Sequence, residues 1–320
     1  MRSISDERII HSFAGKSVLV TGGGGFLGSH LVRRLLSLGS SVTCLGGNRE
    51  SVIVCEGAHY VFGDISLDTL NTVAFVPNAI FHLAGGASVS VSLADPPRDF
   101  LRTVYSTVLL LDFARIHWPK SPVVYTSSAA VYGEAGHQRA DHGVICRPIS
   151  PYGVHKRHVE LLLLDHARIY GTRSVILRPF SVYGPGLRKQ LLWEAMEKAR
   201  NGVYEFFGSG QELRDWVYVT DVVECLLRSS MLSSTRVPVY NVGTGRAISV
   251  RTVLTELYHI AGIEHHPIFI GAHKGGDPNR LVAEGSIEQT LGGLLSTSLS
   301  EGLRTYVDWY RLAWNDPRRA

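Results

Sequence analysis

The sequence predicts an α/β fold in which helices cover both faces of a mainly parallel sheet. Two observations support this fold: short apolar runs alternate with helical patterns, and a glycine-rich turn joins the first run to the first helix. The hydrophobic fraction of 45% is ordinary for a soluble protein. The 320 residues exceed what one small core needs. We therefore predict a large domain over residues 1–180, with a returning segment at about 213–245, and a smaller, partly interleaved C-terminal substrate domain over 181–320.

The predicted strands are short apolar runs that end in small or polar residues. They are KSVLVTG (16–22), SVTCL (41–45), HYVFGD (59–64), AIFHLAG (79–85), PVVYTSS (122–128) and RSVILRP (173–179). Helical spacing of apolar residues marks FLGSHLVRRLLSLG (26–39), DFLRTVYSTVLLLDFARIH (99–117) and YGVHKRHVELLLLDHARIYG (152–171). Strands and helices that alternate in this way favour a doubly wound parallel sheet.

The composition argues against several classes of protein. The net charge of +4 is scattered, which is not typical of a nucleic-acid-binding tail. The four cysteines form no CxxC pair, so neither a disulfide framework nor a zinc site is expected. No apolar run approaches the roughly 20 residues of a membrane span, and no signal peptide is visible. We therefore expect a cytoplasmic protein without a metal or a membrane partner.

The glycine-rich turn VTGGGGFLGSH spans residues 20–30 and has the spacing of a phosphate-binding turn. We predict that Gly22 permits the turn, that Gly25 lets a diphosphate approach the backbone, and that Gly28 lets the helix lie close to the strand. Gly23 and Gly24 are interpreted as extra conformational freedom. A strand before the turn and a helix after it favour a dinucleotide site over a merely flexible loop, with contacts from Phe26 and Leu27.

The end of the second predicted strand bears on the choice of cofactor. A Rossmann site usually has an acidic residue there, which binds the ribose 2′-hydroxyl, but this chain has Gly46, followed by Arg49. A small residue and an arginine could accommodate a 2′-phosphate, so both NAD and NADP remain open; alternatively, Arg49 is a solvated loop residue. Asp64 is predicted to contact the adenine. The remaining predicted cofactor contacts are Ile65, Leu83 and Ala84.

A tyrosine and a lysine at helical spacing are the predicted reacting groups. Tyr152 and Lys156 lie one turn apart, just after Ser150 and Pro151, which suit the start of a helix. An ammonium and an oxidised nicotinamide nearby would lower the pKa of the phenol and make it a base. Ser128 could bind the substrate oxygen. Thr126 and Ser127 are alternatives for that role.

At this point the chain resembles the extended short-chain dehydrogenase/reductases, within the NAD-dependent nucleotide-sugar epimerase/dehydratase group. The motifs that carry the resemblance run through nearly the whole chain. They are VTGGGGFLGSH (20–30), GDI (63–65), HLAG (82–85), SSAAVYG (127–133), SPYGVHK (150–156), RPFSVYGPG (178–186), RDWVYVTDVV (214–223), YNVGTG (240–245) and GDPNRLVAE (276–284).

The resemblance implies roles for individual residues. Ser128, Tyr152 and Lys156 would be the catalytic triad, with Ser128 also binding the substrate. Arg214 matches an arginine that grips the nucleotide diphosphate; the alternative is an ion pair with Asp215. The other implied substrate contacts are Lys274, Arg280 and Ser181.

Several positions depart from the family pattern. Ser181 and Thr103 stand where asparagines are common, and Ala87 stands where some epimerases carry a lysine. Together with Gly46, these departures argue against ordinary UDP-galactose specificity and favour a specialised sugar.

The expected function is epimerisation of a nucleotide-activated sugar, most readily at C4 through a transient 4-keto sugar. The alternatives are an NDP-sugar dehydratase, an NADPH-dependent 4-ketosugar reductase, and a non-catalytic nucleotide sensor. Ala129 and Ala130 stand where related dehydratases carry acids, which disfavours elimination, unless Glu134, Asp141 or Cys146 supplies the missing group.

The resemblance also implies a homodimer. Helices at about 99–116 and 152–170 carry apolar faces that commonly pair between subunits in this family. The alternative is that these faces cover the sheet of their own subunit.

Overall fold

A seven-stranded parallel sheet forms the centre of the structure. The computed structural model describes residues 5–50, 52–134, 145–271, 276, 278–283 and 286–314. The strands of this sheet, numbered along the chain, are β1 (Ser17–Thr21), β2 (Ser41–Leu45), β3 (His59–Val61), β4 (Ala79–His82), β5 (Val123–Thr126), β6 (Ser174–Pro179) and β11 (Val239–Val242). They lie in the order β3-β2-β1-β4-β5-β6-β11. The six strands predicted from apolar runs are confirmed, and the order is that of a Rossmann sheet.

Helices cover both faces of this sheet, as predicted. Those of the large unit are α1 (Asp6–Phe13), α2 (Phe26–Ser37), α3 (Leu67–Asn71), α4 (Val89–Ala94), α5 (Pro96–Phe100), α6 (Ser106–His117), α7 (Pro151–Tyr170), α9 (Val219–Ser229) and α11 (Ser286–Leu291). Side chains of β1 alternate between two cores: Val18 and Val20 pack with α2 and α9, whereas Leu19 packs with α6 and α7. This alternation explains why the strand is apolar at every position.

The helix predicted over residues 99–117 is continuous but not uniform. A π-helical segment, Leu101–Tyr105, joins α5 to α6. Thr103 is buried within this segment, and its hydroxyl accepts a hydrogen bond from the Gly86 amide at 2.7 Å. The wider turn thus coincides with a contact to the loop that follows β4.

Among the described residues, the smaller unit contains three short sheets and three α-helices. The sheets pair β7 (Ser181–Tyr183) with β10 (Trp216–Tyr218), β12 (Ile248–Ser249) with β9 (Leu213–Arg214) and β14 (Arg280–Leu281), and β13 (Ile268–Phe269) with β8 (Glu205–Phe206). Its helices are α8 (Gln190–Arg200), α10 (Val250–Ala261) and α12 (Leu299–Trp314). A third apolar cluster holds these helices together, including Leu254, Leu257 and Tyr306.

The chain passes between the two units more than once. Both α9 and β11 belong to the large unit, although they follow strands of the smaller one. The predicted returning segment thus contains elements of both units, because β9 at its start pairs in the smaller unit. The domain limits at residues 180 and 181 stay a prediction. Within the described part of the chain, no helix has the length and apolar character to cross a membrane.

Candidate active site

The glycine-rich turn lies between β1 and α2 and is closely packed except at Gly25, which is exposed. Gly22 has a φ of +71°, and a Cβ on Gly28 would stand 2.1 Å from the Gly22 carbonyl oxygen. Gly23 and Gly24 are equally confined, since their Cβ atoms would lie 2.6 Å from Cys44 Sγ and 2.3 Å from Val52 Cβ. The interpretation of these two glycines as extra freedom was therefore wrong: the close approach of β2 and the following loop excludes a side chain at both positions.

The N-terminus of α2 is suited to an anion. Gly25 is the N-cap, no side chain caps the helix, and the first turn contains no acidic residue. The first amides of the helix, including those of Phe26 and Leu27, have no intrahelical acceptor, and the helix dipole adds positive potential there. The residues present thus fit the diphosphate of a dinucleotide.

The end of β4 meets this turn at the point where the strand order reverses, which is where ligands bind in open α/β sheets. The Leu83 amide donates to the Thr21 carbonyl oxygen at 3.1 Å, and the Ala84 amide donates to Thr21 Oγ1 at 3.2 Å. A Cβ on Gly22 would stand 2.8 Å from the Ala84 nitrogen. Leu83 and Ala84 therefore lie beside the glycine turn, and their contact with a cofactor stays a prediction.

A buried histidine holds the same strand end in place. Thr107 Oγ1 donates to the Thr103 carbonyl oxygen at 2.6 Å, so its oxygen is the acceptor for His82 Nε2 at 2.7 Å. His82 Nδ1 then accepts from Thr21 Oγ1, also at 2.7 Å. Burial, and secondarily the charge of Lys156, lower the pKa of His82 to about 3, so the ring is neutral. The sequence reasoning missed this network, although the histidine stands within the HLAG motif.

The ends of β2 and β3 carry the other predicted cofactor residues. Gly46 and Gly47 have φ values of +114° and +83°, so an acidic side chain at either position would be strained. The Arg49 guanidinium lies 5.2 Å from the centroid of the Phe62 ring. Asp64 is exposed and Ile65 is buried just after β3. The structure thus places Arg49 and Asp64 at the same edge of the sheet.

The predicted reacting groups come together where β5 ends and α7 begins. Ser150 caps α7 by accepting from the Gly153 amide at 3.2 Å, and Pro151 occupies the first turn, as expected. The Ser128 hydroxyl is hydrogen-bonded to Tyr152. Lys156 Nζ lies 5.9 Å from the centroid of the Tyr152 ring and donates to the Thr126 carbonyl oxygen at 3.0 Å.

The alternatives to Ser128 are otherwise engaged or turned elsewhere. Ser127 donates to the Glu160 carboxylate at 2.6 Å. Thr126 presents its carbonyl oxygen to Lys156, while its buried hydroxyl has no partner among the described residues. Among these three neighbours, Ser128 has the hydroxyl that contacts Tyr152.

The electrostatics of this cluster differ from the sequence-based expectation. Burial raises the pKa of Tyr152, the bond to Ser128 acts against this rise, and the charge of Asp99 adds to it. The pKa of the phenol is therefore raised rather than lowered. Burial lowers the pKa of Lys156 to about 8, although Asp99 and Glu160 oppose the shift. Desolvation is the largest cause of both shifts, and for Tyr152 it outweighs the hydrogen bond to Ser128.

Asp99 and His155 form a buried pair beside the reacting groups that the sequence reasoning missed. His155 Nδ1 lies 2.6 Å from Asp99 Oδ2, and the aspartate side chain is 4% exposed. Gly86 packs so closely on Asp99 that a Cβ would stand 1.8 Å from Oδ1. The pair therefore connects α7 with α5 and with the loop after β4.

A second buried cluster lies one turn further along α7. Glu160 accepts two hydrogen bonds from Arg178, at 2.9 and 2.7 Å, and one from Arg157 at 2.8 Å, besides the one from Ser127. Burial alone would raise the pKa of Glu160, but the bonds and charge of Arg178 outweigh it and the net pKa is lowered. Arg178 also donates to the Tyr132 hydroxyl at 2.9 Å. The partners come from β6 and α7, which no local pattern joins.

The candidate substrate residues lie on the short strands of the smaller unit. The Ser181 amide donates to the Asp215 carbonyl oxygen at 2.9 Å, so Ser181 lies beside the strand that follows Arg214. Arg214 is half-buried and donates to the Leu213 carbonyl oxygen at 3.0 Å. Lys274 lies outside the described residues.

Arg280 is half-buried on β14, and its Nε is buried without a hydrogen-bond partner among the described residues. It pairs with Leu213, whereas Arg214 pairs with Leu281. In a regular pleat this one-residue offset directs the two arginine side chains to opposite faces.

Asp215 has a structural role and does not form the surface ion pair with Arg214 that the sequence analysis considered. It is fully buried, and its carboxylate accepts from the amides of Thr244, Gly245 and Ala283 at 2.8–3.1 Å. It also accepts from the Thr244 hydroxyl at 2.7 Å. The alternative that Arg214 forms a surface ion pair with Asp215 was therefore wrong, because this carboxylate binds three chain segments together instead.

Of the three groups considered for elimination chemistry, the structure describes Glu134 and Cys146, and neither is suited to it. The Glu134 carboxylate accepts from the Asn279 amide at 2.9 Å. Burial raises the pKa of the Cys146 thiol, although Arg178 and Arg157 oppose the rise, so the thiol is a poor base at neutral pH. Asp141 lies outside the described residues. Ala129 is buried and Ala130 half-buried beside Ser128.

Comparison with known proteins supports this architecture. The UDP-glucose 4-epimerase of Mycolicibacterium smegmatis is 31% identical over 309 residues, covering 92% of this chain and 98% of that protein. The dTDP-glucose 4,6-dehydratase of Streptomyces griseus is 31% identical over 321 residues, covering 94% and 96%. The crystal structure of the Thermus thermophilus UDP-glucose 4-epimerase in complex with NAD superposes with a TM-score of 0.83 at 31% identity, covering 92% and 99%.

The model of the NAD-dependent epimerase/dehydratase family matches residues 18–243, which include the glycine turn, the Ser128–Tyr152–Lys156 cluster and β11. The resemblance found in the motifs is confirmed, and so is the Rossmann fold. The chain belongs to the NAD-dependent epimerase/dehydratase family.

Proposed function

We propose that this protein epimerises a nucleotide-activated sugar, with inversion at C4 through a transient 4-keto sugar. The observation that carries the proposal is the cluster of Ser128, Tyr152 and Lys156 beside the glycine turn, with two alanines next to it. This cluster can move a proton at a sugar hydroxyl. It lacks a described carboxylate placed to protonate a leaving hydroxyl, which elimination requires.

The cofactor in this proposal is NAD(P), held by the edge of the sheet already described. Gly22, Gly25 and the first amides of α2 bind the diphosphate, and Asp64 and Ile65 lie on the adenosine side. Leu83 and Ala84 line the other side. A bound nicotinamide dinucleotide supplies a reversible hydride acceptor for the sugar carbon and, when oxidised, a positive charge beside the phenol.

Tyr152 removes the proton from the sugar hydroxyl and returns it after inversion. Because burial raises the pKa of Tyr152, its phenol is protonated in the free protein at neutral pH. Positive charge near the ring shifts this balance toward the phenolate. Lys156, whose pKa is about 8, is mostly charged at neutral pH and is the chain's own source of that charge. Ser128 holds the oxygen from which the proton leaves.

The nucleotide diphosphate is assigned to Arg214, with Ser181 near the sugar. Arg280 is a second candidate because its buried Nε has no partner among the described residues. Lys274 remains a candidate from the sequence only. An arginine binds a phosphate through two parallel hydrogen bonds, whereas a lysine binds it as a point charge.

Two other enzymatic activities remain as alternatives. The similarity to the Streptomyces griseus dehydratase keeps NDP-sugar dehydration open, and a 4-ketosugar reductase needs the same three reacting groups. A non-catalytic nucleotide sensor would not need Tyr152 and Lys156 at this distance. The alanines beside Ser128 favour the epimerase over the dehydratase.

The experiment that tests the proposal has two parts. The purified protein is denatured, and any released dinucleotide is identified. The native protein is then incubated with UDP-glucose, UDP-glucuronate, UDP-arabinose and dTDP-glucose, and the products are analysed by mass and by NMR. The proposal predicts a product of unchanged mass with one inverted carbon. Loss of water would favour the dehydratase, net consumption of NADPH with a 4-ketosugar would favour the reductase, and no turnover of any sugar would favour the sensor.

We also propose a homodimer in the cytoplasm. Leu101, Tyr105 and Val108 form an exposed apolar stripe along the π-helical segment and α6, and Leu161 and Leu164 are exposed on the adjoining α7. Exposed apolar side chains on two adjoining helices are typical of an interface. None of the described cysteines forms a disulfide, which agrees with a reducing compartment. Sedimentation equilibrium would show a monomer if this surface only faced solvent.

A further inference from the structure

A cavity of about 430 Å³ opens at the carboxyl ends of β2 and β3. Arg49, Phe62 and Asp64 line it, and so does Arg102 from the π-helical segment. Arg102 was not among the residues singled out from the sequence. It reaches the cavity only because the segment after α5 passes over this edge of the sheet.

The cavity adjoins the glycine turn through backbone contacts. The Gly46 amide donates to the Val61 carbonyl oxygen at 3.0 Å, and the Gly63 amide donates to the Gly47 carbonyl oxygen at 3.0 Å. The Ile53 amide donates to the Gly24 carbonyl oxygen at 2.8 Å. A dinucleotide whose diphosphate lies on the glycine turn would therefore place its adenosine ribose in this cavity.

The charges around the cavity favour an anion. In the described part of the chain, neither the Arg49 nor the Arg102 guanidinium forms an ion pair with a carboxylate. Asp64 is the one acidic residue in the described lining of the cavity. The usual ribose-binding acid is absent from the end of β2, and the left-handed conformations of Gly46 and Gly47 disfavour one there. Arg49 is held over the Phe62 ring, which leaves its nitrogen atoms able to donate in the plane of the guanidinium.

We infer that Arg49 and Arg102 bind the 2′-phosphate of NADP, so that this chain prefers the phosphorylated cofactor. The inference rests on the proposed dinucleotide site and names the form of cofactor that the site accepts. An arginine pair provides charge-assisted hydrogen bonds to the phosphate oxygens, which a 2′-hydroxyl cannot match. Asp64 follows β3, on the adenine side of the same cavity.

The test measures binding of adenosine fragments and needs no turnover. Calorimetry compares adenosine 2′,5′-bisphosphate with adenosine 5′-monophosphate in the wild type, Arg49→Ala and Arg102→Ala. We expect the bisphosphate to bind the wild type at least about tenfold more tightly, and each substitution to reduce this ratio. Affinity for the monophosphate should stay within about twofold, because both side chains are exposed and their loss leaves the core intact.

Arg98→Ala is the matched control, since Arg98 is an exposed arginine on α5 outside the cavity lining. It should leave the ratio unchanged. Equal affinity of the wild type for the two fragments, or an unchanged ratio in both cavity variants, would overturn the inference. If the monophosphate binds without such a preference, the dinucleotide site stands and only the 2′-phosphate assignment fails. If neither fragment nor any intact dinucleotide binds, and the denatured protein releases no dinucleotide, the proposed function fails as well.

Discussion

Helix α7 carries two ionisable clusters one turn apart, and the two differ in how completely their charges are paired. Glu160 is fully buried and accepts four hydrogen bonds, two of them from Arg178, so its pKa is lowered despite burial. Lys156 is also buried but donates to one carbonyl oxygen, and its pKa falls to about 8. Tyr152, one turn before it, has a raised pKa.

This difference in charge pairing gives the two clusters of α7 different roles: one is structural and the other is suited to proton transfer. A buried charge with a complete set of partners is stabilised in one protonation state and holds its surroundings together. A buried charge with an incomplete set lies closer to a change of protonation, which a proton-transfer site requires. Residues 152, 156 and 160 share a face of the helix, so the contrast comes from the neighbouring strands and not from the helix itself.

Removing the paired charge should produce the largest change in free energy. Glu160→Gln leaves Arg178 buried without its counter-charge, and we expect the free energy of unfolding to fall by ~3–5 kcal/mol. Urea denaturation measures this loss. Asp165→Asn on the same helix, which removes an exposed ion pair with Arg168, should change it by at most ~1 kcal/mol.

An unchanged free energy of unfolding in Glu160→Gln would contradict the proposed difference between the two clusters. A loss of turnover in folded Glu160→Gln as severe as that in Tyr152→Phe would also contradict it, because Glu160 is assigned a structural role.

In contrast to Glu160→Gln, Tyr152→Phe should lower the turnover rate and leave the stability almost unchanged. The ring packing remains while the proton acceptor is lost, so we expect kcat to fall by at least ~100-fold, the usual scale for a general base. Thermal denaturation should give a melting temperature close to that of the wild type. Tyr170→Phe, at the exposed end of the same helix, should leave kcat unchanged. Turnover of the Tyr152 variant within about threefold of the wild type would remove Tyr152 from the mechanism.

Of the three substitutions, Asp99→Asn should have the smallest effect. It tests whether the charge of Asp99 influences the pKa of Tyr152. The charge of Asp99 raises the pKa of Tyr152, so its removal should lower that pKa. Because Tyr152 acts in its deprotonated form, the rate falls as pH drops below the pKa of the phenol. The acid limb of kcat/KM against pH should therefore move to lower pH in the variant.

The matched control for Asp99→Asn is Asp112→Asn. Asp112 is half-buried on α6 and pairs with Arg115, so its removal should leave the limb in place. An acid limb that stays in place in both variants would show that Asp99 does not influence the reacting phenol.

Local patterns predicted the parts of the site that depend on neighbouring residues in the chain. The six strands, the cap at Ser150 and the one-turn spacing of Tyr152 and Lys156 follow from short-range periodicity. The pairs Asp99–His155 and Glu160–Arg178 could not be predicted, because each joins elements whose contact is set by packing of the whole sheet. Packing also decides the net pKa of Tyr152, since burial is not visible in the spacing of residues.

The glycine turn is a second case in which contacts between distant parts of the chain could not be predicted from local sequence patterns. Its position and its link to α2 could be predicted from the motif, but the contacts that exclude side chains from Gly23 and Gly24 come from β2 and the loop after it. Arg102 likewise reaches the cofactor side through the π-helical segment, which the apolar periodicity represented as a regular helix.

The central claim is that the site oxidises and re-reduces one sugar carbon without losing water. The most direct measurement follows deuterium placed at C4 of whichever NDP-sugar the enzyme turns over, with mass spectrometry and NMR of the product. The account predicts that the label stays on C4 of a sugar with inverted configuration and unchanged mass. Transfer of the label to another carbon with loss of water, or its loss to a freely exchanging cofactor, would contradict it.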